Sequence, residues 1–190
     1  MLKNALHFVF WVYNINVSTE NITFVNAYTE RGDCMNIEKY TQNAQSAIVE
    51  CQNIAISEGH QMLDGEHLHM ALLQQKDGLI PKLLQYNKVD VSSVIADLQA
   101  ELEKLPKVSG AADNMYSSRR LSQLLMKAEK IAEQFKDEYV SVEHLYLALL
   151  DEKGTPSSRI FAKFGITKDN FLEALSKVRG NQRVTSQNPE

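Results

Sequence analysis

The sequence has few of the features that mark secreted, nucleic-acid-binding or membrane proteins. It has only two cysteines in 190 residues, Cys34 and Cys51, so no disulfide framework is expected and a reducing cytoplasm is favoured. The net charge of −4 argues against a nucleic-acid partner, because neutralising phosphates requires a clustered basic face. No stretch approaches the roughly 20 apolar residues of a membrane-spanning helix, so no membrane partner is expected. These properties predict a cytoplasmic protein.

Motifs for nucleotide, metal or covalent chemistry are also missing. There is no Gly-x-x-x-x-Gly-Lys-Ser/Thr sequence, so no cofactor is expected in this chain. His60, His67 and His69 lie close to Glu66, but two helical ligands that share a face must be three or four residues apart. His67 and His69 are two apart, and Cys51 falls on an apolar helix face. We therefore predict no metal site and no catalytic residue, and interpret the chain as a binding module, not an enzyme.

The sequence does contain an internal repeat. Glu-His-Leu-His-Met-Ala-Leu-Leu at 66–73 returns as Glu-His-Leu-Tyr-Leu-Ala-Leu-Leu at 143–150, 77 residues later, with six of eight positions identical. The same shift relates Leu98 to Leu175 without a gap. One helical unit has therefore been used twice.

Each copy has the pattern of four short helices. In the first copy, Thr41 is predicted to cap a helix that Gly59 ends, and Asp64 and Asp90 are predicted to cap two more. A third helix is predicted over 78–87. The second copy repeats this order, with a long helix containing Leu121 to Ala132, then caps at Ser141, Thr155 and Thr167. No segment of the repeated region alternates like a strand. We predict an all-α fold of two pseudo-symmetric four-helix repeats packed into one compact domain, with a groove at the seam between them.

The two ends of the chain differ from the repeats. Residues 1–34 are aromatic and β-prone and could form a hairpin, but Met35 resembles a natural start, so we expect a translated leader outside the fold. Intact mass of the protein from its native host tests this. Residues 35–110 then form the first repeat with its connector, and 111–180 the second. Residues 181–190 are polar and are predicted to begin a flexible linker.

Three segments resemble the amino-terminal repeat (Clp R) domain of the Clp ATPases. They are the opening Met-Asn-Ile-Glu-Lys-Tyr-Thr at 35–41, the duplicated Glu-His-Leu helix start, and the connector Glu-Leu-Glu-Lys-Leu-Pro-Lys-Val-Ser-Gly at 101–110. The Leu-Pro-x-Val-x-Gly part is similar to the ClpB disaggregases. ClpC proteins usually carry Gly-Thr-Glu-His at the helix start, whereas this chain has Asp-Gly-Glu-His and Ser-Val-Glu-His.

The resemblance implies a mobile module that captures unfolded or aggregated polypeptide for two ATPase rings outside this chain. ATP would be a cofactor of the full-length protein only, which would be a hexamer, whereas the isolated domain would be a monomer. An adaptor-docking domain of a ClpC-type protease ATPase is the alternative, with adaptor proteins as partners. A third hypothesis is a metal-dependent or hydrolytic enzyme. Finding one bound zinc ion per chain in the purified protein would support it.

The resemblance also implies substrate-handling residues, namely Thr41, Asp137 and Glu143. Each has a structural explanation as well: Thr41 as a helix N-cap, Glu143 as a first-turn carboxylate, and Asp137 as a solvated turn residue. Leu125, from the apolar stripe of the second long helix, is the apolar candidate for the groove. Because Asp137 corresponds to His60, an acidic site is expected in the second repeat only.

Overall fold

The computed structural model describes residues 36–110, 115–180 and 183–188, so the predicted leader at 1–34 lies outside the described residues. Residues Ile37–Glu190 form one compact unit. The predicted helical fold is confirmed: a 3-10 turn at Ile37–Lys39 is followed by eight α-helices in the described part of the chain. They are α1 Gln42–Glu58, α2 Gly65–Gln74, α3 Leu79–Tyr86, α4 Val91–Leu102, α5 Arg119–Phe135, α6 Val142–Leu150, α7 Pro156–Lys163 and α8 Lys168–Arg179.

Side-chain caps determine where the helices begin. The Thr41 hydroxyl accepts the Ala44 N–H at 3.3 Å, and Ser118, its equivalent in the second repeat, accepts the Leu121 N–H at 2.9 Å. Such a cap satisfies one of the amides that a helix start leaves without a partner. The long helix α1 ends at Gly59, which has a left-handed φ of 74° that glycine adopts without steric cost.

Two very short strands join the repeats reciprocally. Met62–Leu63 (β1) of the first repeat pairs in parallel with Tyr116–Ser117 (β2) of the second. Tyr40 pairs with Val140 in the same way, and these two residues are the repeat equivalents of Ser117 and Leu63. The sequence of the repeats predicts no strand, because a two-residue strand is too short to show an alternating pattern. Each repeat therefore completes the other.

Helices α2 and α6 occupy the centre of the domain. Every residue of α2 except Gln74 is buried, and so is every residue of α6 except Leu150. A helix that is apolar on all sides belongs in a core, and α2 and α6 contact each other as well as α1, α5 and α7. No helix within the described ranges is long and apolar enough to cross a membrane.

The segment after α8 returns to the body of the domain. Val184 is 4% exposed, and its carbonyl accepts the Glu138 N–H at 2.9 Å. The Gln187 carbonyl accepts the Gln42 N–H at 2.7 Å, at the start of α1. These contacts differ from the free linker that the polar composition predicts over 181–190, because main-chain hydrogen bonds hold a polar segment as well as an apolar one.

Candidate functional site

Three of the four sequence-predicted site residues lie in one region. The Thr41 N–H donates to the Val140 carbonyl at 2.9 Å, next to the Tyr40–Val140 strand pair. Val140 lies between Asp137, in the turn after α5, and Glu143, in the first turn of α6. The strand pair thus brings the start of the first repeat to the segment between Asp137 and Glu143.

Asp137 is the centre of this site. Its side chain is fully buried, and both of its oxygens accept hydrogen bonds from Arg179 Nη2 at 2.5 Å. Oδ1 also accepts the Val184 N–H at 2.9 Å, and Oδ2 lies 3.0 Å from His144 Nε2. The prediction that Asp137 is a solvated turn residue is therefore wrong: Arg179, contributed by the distant end of α8, covers it.

The hydrogen bonds of His144 define its tautomer. Its Nδ1 accepts the Ser141 N–H at 3.0 Å, so in the neutral ring the proton is on Nε2, facing Asp137. Burial lowers the pKa of His144, although the nearby Glu143 and Asp137 carboxylates act in the opposite direction. A neutral His144 thus caps α6 at one nitrogen and supports Asp137 at the other.

Glu143 is also buried, at 4% exposure, and Oε1 lies 3.4 Å from Arg179 Nη1. The guanidinium of Arg179 therefore bridges Asp137 and Glu143 and keeps both carboxylates from solvent. The acidic site expected in the second repeat is therefore present, but both of its carboxylates are covered by Arg179. Charge-assisted hydrogen bonds from arginine to carboxylates are among the strong hydrogen bonds of proteins, so they fix the orientation of these side chains.

An apolar groove with a volume of about 540 Å³ lies beside Arg179. Its apolar side chains, Phe135, Leu172 and Leu175, come from α5 and α8. The guanidinium carbon of Arg179 is 6.0 Å from the centre of the Phe135 ring, within cation–π range. The other lining residues are Ser176, Gly180 and Arg183. This groove lies within the second repeat, whereas the sequence analysis placed a groove at the seam between repeats.

Leu125 does not line this groove. It is 6% exposed on the inner face of α5, whereas its neighbour Met126 is 54% exposed. The structure thus brings together Thr41, Asp137 and Glu143 and leaves Leu125 in the core. Sequence reasoning did not identify Arg179, Phe135 and Leu172 as site residues. The only local signal was that Arg179 is a basic residue in the last turn of α8, and the helix dipole favours such a residue at the end of any helix.

The equivalent position in the first repeat has different chemistry. His60 replaces Asp137, and its Nδ1 lies 3.0 Å from His67 Nε2. His67 Nδ1 accepts the Asp64 N–H at 3.1 Å, so its Nε2 carries the proton and donates to His60. Burial lowers the pKa of His67 to about 4. The first repeat therefore has a neutral histidine pair where the second has the Asp137 carboxylate and His144.

No cluster of three or more histidine, cysteine, aspartate or glutamate residues suited to a metal ion occurs in the described ranges. Cys51 is 2% exposed, and burial raises the pKa of its thiol, which disfavours the reactive thiolate. The site at Asp137 is thus a hydrogen-bonded ion cluster beside an apolar groove, an arrangement suited to binding.

Comparison with known proteins identifies the fold and the family. Residues 39–164 match the model of the Clp repeat (R) N-terminal domain. The chain is 43% identical over 159 residues to the chaperone protein ClpB of Bacillus anthracis, which covers 82% of this chain and 18% of the relative. It is 45% identical over 160 residues to the ClpB of Nitratidesulfovibrio vulgaris, with the same coverage. The chain thus spans about a fifth of the length of these relatives.

Solved structures agree with this result. The N-terminal domain of Hsp104 from Candida albicans is 26% identical, with a TM-score of 0.70, and covers 78% of this chain and 97% of its own. The N-terminal domain of the ClpV1 ATPase from E. coli shares the fold at 17% identity and a TM-score of 0.68, covering 86% and 98% of the two chains.

Proposed function

Since this chain belongs to the Clp repeat (R) N-terminal domain family, we propose that it captures unfolded or aggregated polypeptide for a ClpB-type disaggregase. It is a non-catalytic binding module in this proposal. ATP-driven threading belongs to rings outside these 190 residues, and the site of action is the cytoplasm. We expect the isolated chain to be monomeric and the full-length protein to be a hexamer.

The observation that carries this proposal is the groove beside Arg179. Phe135, Leu172 and Leu175 offer apolar surface that can bury side chains exposed by an unfolded protein, at roughly 25 cal/mol per Å². Ordering the bound chain offsets much of this gain, so a groove of this size supports modest affinity. Modest affinity suits a module that must pass its substrate on.

The polar residues of the site act in this proposal through Arg179. Asp137 and Glu143 hold its guanidinium at the groove, beside the Phe135 ring. Thr41 contributes by fixing the turn after α5 through the Val140 hydrogen bond. Leu125 contributes only by packing, because it is buried.

A charge placed in the groove tests the proposal. Leu172→Glu is expected to weaken binding of fluorescently labelled, reduced and carboxymethylated lactalbumin at least tenfold, because the carboxylate must be desolvated on binding. Ile56→Glu, at an exposed position of α1 outside the groove, is the matched control and is expected to leave binding unchanged. Fluorescence anisotropy measures both.

The same experiment separates the alternative function. Equal binding of lactalbumin to both variants would contradict the groove as the capture site. Another outcome is that lactalbumin binds none of the three proteins, whereas a folded adaptor protein binds the wild type at this face. The ClpC-type docking function then replaces the proposed one.

A further inference from the structure

Residues 183–188 bind the surface of the domain through main-chain hydrogen bonds, as a peptide ligand does. The Val184 N–H donates to Asp137 Oδ1, and the Val184 carbonyl accepts the Glu138 N–H, both at 2.9 Å. Three residues further on, the Gln187 carbonyl accepts the Gln42 N–H at 2.7 Å and its side-chain amide donates to the Glu38 carbonyl at 2.7 Å. The segment therefore crosses from the turn after α5 to the start of α1.

Most of these contacts involve the main chain of the segment. Main-chain hydrogen bonds recognise any extended polypeptide, as they do when a peptide adds to a strand edge. Val184 supplies the buried side chain of the segment, since it is 4% exposed and every other described residue of the segment is half-buried or exposed. The site thus accommodates an extended chain with one branched aliphatic side chain.

The first repeat indicates which of these contacts the fold itself requires. The equivalent segment there is the connector after α4, where the Val108 N–H donates to the Gly59 carbonyl at 2.8 Å. Lys107, the equivalent of Val184, is exposed and pairs with Glu58 on the surface. Every residue in the described part of the connector at 106–110 is exposed, whereas Val184 is buried and its N–H donates to the Asp137 carboxylate. These two contacts distinguish the segment of the second repeat.

Few contacts hold the described residues 183–188. They are one buried valine and four hydrogen bonds, and a segment with so few buried contacts belongs to the low-stability end of a domain. It also shares residues with the groove, because Arg183 lines the groove and Asp137 bonds both Arg179 and Val184. Binding of a ligand in the groove is therefore linked to whether residues 183–188 are in place.

We propose that the surface formed by residues 137–138 and the start of α1 is a docking site for an extended polypeptide with a branched aliphatic residue, and that residues 183–188 are its resident occupant. An incoming polypeptide displaces this segment and gains access to both the site and the adjoining groove. The identity of the competitor as an unfolded protein rests on the proposed function; the docking of the segment does not.

The test uses the 190-residue chain and a labelled synthetic peptide of residues 181–190. Val184→Asp removes the buried aliphatic group, and the variant is expected to bind the peptide at least tenfold more tightly than the wild type. The reason is that the tethered copy, whose effective concentration is on the order of millimolar, no longer competes. Val178→Asp, the same change at an exposed valine of α8, is the matched control and should behave as the wild type.

Amide hydrogen exchange provides a second readout. In Val184→Asp the amides of Glu138 and Gln42 should exchange at least tenfold faster, whereas the α6 amides report that the fold is intact. Gln187→Ala, which removes only the side-chain bond to Glu38, should change both readouts in the same direction by a smaller factor. Wild-type exchange at Glu138 and Gln42, or no gain in peptide affinity in either variant, would overturn the proposal.

Labelled lactalbumin separates this proposal from the proposed function. If the peptide binds Val184→Asp but lactalbumin binds none of the proteins, the docking site stands and the capture function falls. If lactalbumin binds the wild type and Val184→Asp with the same affinity, capture stands and displacement of the segment is wrong.

Discussion

The side chains of His69 and Tyr146 contact each other although they occupy the same position in the two repeats. The Tyr146 hydroxyl lies 3.4 Å from His69 Nε2, and the ring centres are 5.4 Å apart in an edge-to-face arrangement. Two equivalent residues can touch only near the axis that relates their repeats. This pair therefore marks the pseudo-twofold axis. The two repeats carry different residues at this position, where the equivalent side chains contact each other.

A buried chain of hydrogen bonds extends from this pair to the surface. Ser157 Oγ donates to Glu66 Oε1 at 3.2 Å, so the serine oxygen accepts from His69 Nδ1 at 3.1 Å. His69 Nε2 is then free of a proton and accepts from Tyr146. Burial lowers the pKa of His69 to about 3, so the ring stays neutral. Glu66 ends the chain in an ion pair with Arg120.

The Arg120–Glu66 pair is expected to be important for stability. Arg120→Ala leaves the Glu66 carboxylate, 7% exposed, without its cation, and should lower the free energy of unfolding by about 3 kcal/mol. Lys104→Ala is the control, because Lys104 is 66% exposed in its pair with Glu101 and should contribute less than about 1 kcal/mol. Urea unfolding of both variants measures the difference. Equal losses would contradict a buried role for Arg120.

Glu152 is expected to make stability depend on pH. Burial, with Glu66 and Asp64 nearby, raises its pKa from 4.5 to about 6, although Arg120 opposes the shift. As the pH rises from 4.5 to 6, the Glu152 carboxyl loses its proton in the unfolded chain at a lower pH than in the folded chain. The free energy of unfolding therefore falls as the pH rises through this window, by about 2 kcal/mol from this group.

Glu152→Gln isolates that contribution, because glutamine does not ionise. The variant should gain about 2 kcal/mol relative to the wild type between pH 4.5 and 6, with a constant difference outside that range. Urea unfolding at half-unit pH steps measures this difference, in which the other titrating groups cancel. A difference that is flat across the window would refute the assignment.

Lys136 occupies a position that suits glycine. It ends α5 in the left-handed region, with φ 59° and ψ 34°, whereas its equivalent at the end of α1 is Gly59. A residue with a side chain pays about 1 kcal/mol to adopt this conformation. Lys136→Gly should therefore raise the free energy of unfolding by up to that amount, reduced by the extra conformational entropy that glycine gives the unfolded chain. Lys130→Gly, on the exposed side of α5, should instead lower it by about 1 kcal/mol. Thermal unfolding distinguishes the two, and a loss at Lys136 would show that its side chain is needed.

Leu125 is expected to matter for stability and not for binding. Leu125→Ala should lower the free energy of unfolding by about 2–5 kcal/mol, because it leaves a cavity between packed helices. Met126→Ala, at the exposed neighbour, should change it by less than about 0.5 kcal/mol. Lactalbumin affinity, measured well below the melting temperature, should match the wild type in both variants. Weaker binding by Leu125→Ala at unchanged stability would restore Leu125 as a substrate residue.

The helix starts were predictable from sequence because capping is local. Thr41, Asp64, Asp90, Ser141 and Thr167 all precede helices as predicted, since each needs only its own side chain and amides of the next turn. The repeat then predicted the two-fold architecture, because an ungapped shift carries every cap and core position from one copy to the other.

The site was not predictable in the same way, because its partners are distant in the chain. Asp137 has Lys136 and Glu138 as neighbours, but its charge partner is Arg179, 42 residues later. Whether a turn carboxylate is solvated or covered depends on where α8 ends. No sequence pattern predicts the Tyr40–Val140 pairing, since a single main-chain bridge needs no particular side chain.

The reciprocal strand pairs constrain what the ancestor of this domain looked like. One repeat alone has a lead-in strand and a receiving edge that do not meet within the same copy: Tyr40 needs Val140, and Ser117 needs Leu63. Two identical chains related by a true twofold axis would make this contact twice, as isologous dimers do. In the joined chain both contacts form within one molecule, so their contribution to stability does not depend on protein concentration.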